Sequence, residues 1–325
     1  MTTISIAVLD DYQRVALSCA DWSGLATKAR IQPFHEPWAS EDEAAHALEP
    51  FDVIVLMRER TPFPASLIER LPRLRLIALT GTRTNTLDIA ACTRRGIVIS
   101  HTTTNPSTAT AELAIGLMVA CARSLRQGFA NMTQGQWQSG VPMGLPLAGK
   151  HLGVLGLGLL GKEVARIGLA FRMDVVAWSQ NMTGEAAAAQ GVRRVEKEEL
   201  FATSDVVSLH LALSARTRLI VGPTEIAAMK PQAILINTAR AGLVDSQALL
   251  AALQAGRISA GLDVYDTEPL PAGHVLRSLP NVVLTPHLGY VVDDVFSYYY
   301  RDIVEDIEAW IAGNAIRVLN PDAAR

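Results

Sequence analysis

The chain has 325 residues, 49% of them hydrophobic, and a formal net charge of −3. That length suggests about two domains, each with a sizeable core. The near-neutral charge, without a basic block, excludes a strong electrostatic pull toward nucleic acid or an anionic membrane.

Residues 4–9 open the chain as an apolar, strand-like run with no basic segment before it, which reads as a cytoplasmic protein rather than a secreted one. Runs at 53–57, 76–80 and 97–100 continue the pattern and predict a first α/β unit. Arg58 and Arg60 follow the second of these runs and flank Glu59. Residues 109–125 are rich in Ala and apolar side chains, but Glu112 and Arg123 interrupt them, so a core or interface helix is expected and not a membrane span. Three cysteines, Cys19, Cys92 and Cys121, lie far apart and form no C-x-x-C. Neither a disulfide nor a zinc framework is expected, and no metal is assigned.

Residues 152–155 form a short apolar strand that runs into Gly156-Leu157-Gly158-Leu159-Leu160-Gly161. A G-x-G-x-x-G between a strand and a helical pattern holds a dinucleotide pyrophosphate. Gly156 permits the tight turn, Gly158 lets backbone N–H groups approach the phosphates, and Gly161 lets the helix pack on the strand. The phosphates then lie at the positive end of a helix dipole. Residues 162–171 carry apolar side chains at helical spacing, and 175–178 supply the next strand of a βαβ unit. An acid on the ribose hydroxyls belongs about 20 residues past such a loop. Ser179-Gln180-Asn181 occupy that place, so a 2′-phosphate is not repelled and NADP is admitted, but no Arg or Lys appears there before Arg193 to bind one, and NAD is the expected cofactor.

Strands follow at 206–210, 233–237, 260–264 and 282–285. In a doubly wound sheet, ligands sit outside the carboxyl ends of strands. The polar residues at those ends are Arg240, then Asp263 and Glu268, then His287. A His suits proton transfer coupled to hydride transfer, a carboxylate beside it stabilises the imidazolium, and a guanidinium grips a carboxylate. A long helical pattern at 291–312 closes the chain and returns to the first unit. The expected architecture is a discontinuous substrate domain, 1–100 with 290–325, and a dinucleotide-binding domain, 101–289, with a cleft between them for cofactor and substrate.

Several segments resemble the D-isomer-specific 2-hydroxyacid dehydrogenases, which include glyoxylate/hydroxypyruvate reductases and D-3-phosphoglycerate dehydrogenases. They are Thr82 to Ile97, with Asn85, Asp88 and Arg94-Arg95-Gly96-Ile97, then Thr110-Ala111-Glu112, Gly149 to Gly153, the H-x-P-x-T-like Leu209 to Ser214, and Asn237-Thr238-Ala239-Arg240-Ala241-Gly242-Leu243-Val244-Asp245. The resemblance implies a Rossmann-type dinucleotide domain, a smaller flavodoxin-like α/β substrate domain, and a homodimer with the 109–125 helix in its interface. It implies that Arg240 binds and polarises a 2-oxo acid, His287 is the general acid, Glu268 orients and charges His287, and Asp263 holds the nicotinamide carboxamide. Substrate contacts are implied at Arg58 and along Gly81, Thr82 and Arg83. Around the cofactor it adds Leu159 and Leu160 to the loop glycines, then Ser179, Gln180 and Asn181. His210 and Thr217, Thr238 and Ala239, and Thr110 complete the implied set. The chain departs from the family pattern at Arg83, Leu159, Ala212 and Tyr290. The implied reaction moves a hydride between nicotinamide and a small D-2-hydroxy or 2-oxo acid of the glyoxylate or hydroxypyruvate type. D-3-phosphoglycerate oxidation and a dinucleotide-sensing, corepressor-like binding protein are the alternatives.

Overall fold

Two stacks of parallel strands arise from the apolar runs. The computed structural model describes residues 3–82, 84–103 and 108–324. Its first sheet contains β1 (Ile4–Val8), β2 (Ala29–Pro33), β3 (Val53–Leu56), β4 (Leu76–Leu79) and β5 (Val98–His101) in the order β2-β1-β3-β4-β5. All four pairings are parallel, which is the flavodoxin-like arrangement. β3 and β4 are buried along their whole length, as expected for strands covered on both faces. β2 escapes the sequence reading because only Ala29 of its five residues is buried. An edge strand with a wet face carries no apolar run.

The helix Asp293–Ile311 belongs to this sheet's unit. Its apolar face (Phe296, Tyr299, Tyr300, Ile303, Ile307) is buried. The segment after it is stitched to β5: Asn320 Oδ1 accepts the Ile99 amide at 2.8 Å, and its Nδ2 donates to Ile97 O at 2.9 Å.

The second sheet contains β6 (His151–Leu155), β7 (Asp174–Trp178), β8 (Arg193–Arg194), β9 (Val206–Leu209), β10 (Ile234–Asn237), β11 (Ser259–Leu262) and β12 (Val282–Leu284). Its order, β12-β11-β10-β9-β6-β7-β8, is that of a Rossmann-type sheet. The chain leaves β6 toward β7 and β8, then returns to pair β9 on the other side of β6. That reversal is the switch point at which such sheets bind ligands. Side chains alternate between two cores: Val206, Ile234 and Ile236 face one, while Val207, Leu209 and Leu235 face the other. Arg193 and Arg194 form the short edge strand β8 against β7. Their guanidinium groups meet Glu199 and Glu196 in ion pairs.

Tertiary contacts divide the chain into two compact units, Met1–Pro106 with Val292–Arg325, and Ser107–Val291. The divisions fall a few residues beyond those expected from sequence. The helix Ala109–Ala122 buries Ala111, Ala114, Leu117 and Met118 in its own unit. No helix among the described residues is long and apolar enough to cross a membrane.

Candidate active site

β6 ends at Leu155, and Gly156 turns the chain with φ 103°. A Cβ on Gly156 would lie 2.8 Å from the His210 carbonyl carbon, and one on Gly161 would lie 1.9 Å from Gly156 O. Both glycines are therefore required by close approach of backbone to backbone. Gly158 differs, since nothing lies within 4 Å of the place its Cβ would take. It is the N-cap of the helix Leu159–Ala170 and supplies no side-chain cap. The first amides of that helix thus face open space beside a residue with no side chain, which fits an anionic pyrophosphate. Ser179, just past β7, accepts the Leu157 amide through its hydroxyl at 3.0 Å. The residue standing where an acid is usual therefore braces the loop itself. Gln180 and Asn181 follow it and are exposed.

The carboxyl ends of β10, β11 and β12 carry the other polar groups. After β10, Asn237 accepts the Ala239 amide and donates to Arg240 O, both at 3.0 Å, which fixes a tight turn. Arg240 stands half-buried, with one guanidinium nitrogen on Ala239 O at 2.7 Å. After β11, the Asp263 carboxylate is fully buried. It accepts Thr285 Oγ1 at 2.7 Å, the Leu288 amide at 2.7 Å and the Gly289 amide at 3.0 Å. Burial pushes its carboxyl above the usual carboxylate range, against these hydrogen bonds.

Asp263 thereby grips both sides of His287. The His287 backbone is left-handed, with φ 56°, a conformation that persists where the surroundings over-determine it. His287 Nδ1 meets Glu268 Oε2 at 2.6 Å, and Glu268 Oε1 accepts the Tyr265 amide at 2.9 Å. Burial raises the Glu268 carboxyl, but the hydrogen bond and charge of His287, with help from Tyr265 and Arg240, hold it below the usual range. The Tyr265 hydroxyl lies between Leu262 O and Thr285 O, at 3.0 and 2.9 Å, and so ties the ends of β11 and β12. Tyr290 packs edge-on against the imidazole, with ring centroids 5.6 Å apart.

Other residues implied at the cofactor have internal duties. His210 Nε2 pairs with Ser208 Oγ at 2.8 Å, and burial pushes the imidazole down to about 4. Thr217 donates to Ala212 O at 2.6 Å and accepts the Ser214 amide at 2.8 Å, closing the loop between them. Thr110 donates to Gly289 O at 2.6 Å, just past His287. The Thr238 hydroxyl is buried with no hydrogen-bond partner among the described residues, and Ala239 is half-buried beside it.

In the other unit, Arg58 follows β3 with φ 56°, and its amide donates to Thr80 Oγ1 at 2.8 Å. Its guanidinium donates to the Tyr299 hydroxyl at 2.7 Å. The Gly81 amide donates to Thr102 Oγ1 at 2.8 Å. Gly81 therefore contributes its missing side chain rather than its N–H. Thr82 is exposed, and Arg83 lies outside the described residues.

Residues 115–289 match the family model of the D-isomer specific 2-hydroxyacid dehydrogenases, NAD binding domain. The chain belongs to that family. It is 35% identical over 276 residues to the D-3-phosphoglycerate dehydrogenase of Methanocaldococcus jannaschii, covering 84% of this chain and 52% of that protein. It thus spans about half the length of that relative. Against the hydroxypyruvate reductase of Thermotoga maritima it is 37% identical over 253 residues, covering 77% of this chain and 81% of that one. The crystal structure of a phosphoglycerate oxidoreductase from Vibrio cholerae o395 superposes with a TM-score of 0.90 at 36% identity, covering 95% and 99% of the two chains.

Three supports of this candidate site were not singled out from the sequence. Tyr265 and Thr285 hold Glu268 and Asp263, and Tyr299 holds Arg58. The signal for Tyr265 is its place in the turn between Asp263 and Glu268. Tyr299 lies 241 residues from Arg58 and has no local signal.

Proposed function

We propose that this D-2-hydroxyacid dehydrogenase family member reduces a small 2-oxo acid, of the glyoxylate or hydroxypyruvate type, to the D-2-hydroxy acid at the expense of a nicotinamide dinucleotide. The observation that carries the reading is the 2.6 Å contact of His287 Nδ1 with Glu268, beside the dinucleotide loop's own sheet. A carboxylate on Nδ1 fixes the imidazole's orientation and takes a hydrogen bond from that nitrogen, which leaves Nε2–H to serve as the acid. Nε2 gives its proton to the substrate carbonyl oxygen as that carbon is reduced, and the neutral imidazole keeps its Nδ1–H on Glu268. Arg240 grips the substrate carboxylate and polarises the adjacent carbonyl. In the reverse direction His287 takes the hydroxyl proton. The dinucleotide, when bound, supplies or accepts the hydride.

Gly156, Gly158 and Gly161 with the first amides of the helix Leu159–Ala170 hold the pyrophosphate in this reading, and Ser179 lies next to the ribose. NAD is the favoured cofactor. NADP is admitted because no acid stands at 179–181 to repel a 2′-phosphate. The protein acts as a homodimer. Exposed Phe129, Met132, Trp137 and Met143 lie just past the helix Ala109–Ala122 and supply an apolar surface for a second copy. Its three cysteines are unpaired, in keeping with a cytoplasmic setting.

The test is a screen of NADH and NADPH oxidation over glyoxylate, hydroxypyruvate and 3-phosphohydroxypyruvate. Turnover of glyoxylate or hydroxypyruvate supports the reading. Turnover of the phosphorylated acid alone replaces it with phosphoglycerate metabolism. Dinucleotide binding without any turnover replaces it with a sensing role.

A further inference from the structure

We infer that Tyr299 is a positioning residue for substrate recognition, acting by fixing the Arg58 guanidinium above Gly81. The inference rests on the proposed 2-oxo acid reaction and on Arg58 as a substrate group. Arg58 stands at the carboxyl end of β3, and Gly81 at the carboxyl end of the neighbouring β4. Ligands of such sheets sit outside these strand ends. Several contacts bear on where the Arg58 charge lies. Its backbone is left-handed, with φ 56°, and its amide is tied to the buried Thr80 hydroxyl at 2.8 Å. Its Nη1 donates to the Tyr299 hydroxyl at 2.7 Å. The same nitrogen lies 3.0 Å from the place a Cβ on Gly81 would take.

Tyr299 is suited to this task. Its ring is 4% exposed, on the buried face of the helix Asp293–Ile311, so the hydroxyl is a fixed point. A phenol orients a guanidinium without supplying a carboxylate counter-charge. With the Gly81 amide taken by Thr102, the oriented cation above Gly81 is the stronger attraction for an anionic group of the substrate at this end of the sheet. A guanidinium presents five N–H donors in a rigid plane, so one anchoring bond sets the direction of the rest.

The test is a double-mutant cycle of Tyr299→Phe and Arg58→Met in the full-length protein. It uses hydroxypyruvate and the preferred reduced dinucleotide. Tyr299→Phe keeps the buried ring, and Arg58→Met keeps the stem. Removing a hydrogen bond to a charged group is expected to raise KM about tenfold. In Tyr299→Phe, kcat, dinucleotide Kd and Tm are expected to stay near wild type. In the Arg58→Met background the Tyr299 change is expected to have no further effect on KM. An unchanged KM in Tyr299→Phe, alongside a raised KM in Arg58→Met, overturns the role of Tyr299 alone. Additive effects overturn it too, since they mean that Tyr299 acts by another route. An unchanged KM in Arg58→Met removes both residues from recognition while leaving the His287 reaction standing. Wild-type protein that turns over no 2-oxo acid defeats the function reading, and this inference with it.

Discussion

The His287 imidazole and the Glu268 carboxylate meet at 2.6 Å through Nδ1 and Oε2, and Glu268 is itself anchored on the Tyr265 amide at 2.9 Å. The carboxylate is held in its ionised form by the groups around it. Replacing Glu268 by Gln keeps the shape and removes the charge, so the imidazolium loses its stabilising partner. We expect kcat for 2-oxo acid reduction to fall by about 10²-fold, the scale of general acid catalysis. An unchanged kcat in Glu268→Gln would show that Glu268 does not act through His287.

The loop glycines separate into two kinds. Gly161→Ala forces a methyl group to within 1.9 Å of Gly156 O, so it should lower Tm and weaken dinucleotide binding together. Gly158→Ala meets, among the described residues, no atom within 4 Å beyond its own stretch of chain. It should leave Tm unchanged yet weaken dinucleotide binding about tenfold or more, because the methyl group enters the space assigned to the phosphates. Titration of intrinsic fluorescence with NADH, beside thermal melts, compares the two. Normal NADH affinity in Gly158→Ala would remove the pyrophosphate from that surface.

His210 makes a prediction about stability. Burial lowers its imidazole from the ordinary 6.5 to about 4. Between those values the unfolded chain binds a proton that the folded chain refuses. The stability contributed by keeping it neutral is therefore present above pH 6.5 and is lost as pH falls toward 4. Denaturant melts of wild type and His210→Asn between pH 4 and 7 should show a shallower acid decline in the variant. Parallel curves would mean that His210 is protonated as readily in the folded protein as in the unfolded one.

Ser179 braces Leu157 and brings no charge to the ribose site. Ser179→Asp retains an acceptor for the Leu157 amide and adds a carboxylate that repels a 2′-phosphate. Its kcat/KM with NADPH should fall at least about tenfold relative to that with NADH. A ratio equal to wild type would place the ribose away from Ser179.

The sequence announces these features unequally. Strands buried on both faces, such as β3, β9 and β10, appear as unbroken apolar runs because every side chain meets a core. β2 and β8 do not, because their edges are wet. Arg240, Glu268 and His287 were legible because each follows an apolar run, including the short edge strand β12, whose three residues are all apolar although only Val282 is buried. Their pairing was not, since a hydrogen bond between two loops depends on where the sheet register brings them. Asp263 shows the same limit. Its chemical type marked it as functional, while the structure gives it a grip on the two amides after His287. Exposed apolar side chains at Phe129, Met132, Trp137 and Met143 have no marker in the sequence, whereas the helix before them buries Ala111, Ala114, Leu117 and Met118 in its own core.

The central claim, that His287 is the proton donor to a 2-oxo acid, is tested most directly by steady-state oxidation of the preferred reduced dinucleotide with hydroxypyruvate or glyoxylate by wild type and His287→Ala, together with the dinucleotide Kd of each. The account predicts turnover by the wild type, a fall in kcat of about 10²- to 10⁴-fold in the variant, and the same Kd in both. A variant with near-normal kcat contradicts it.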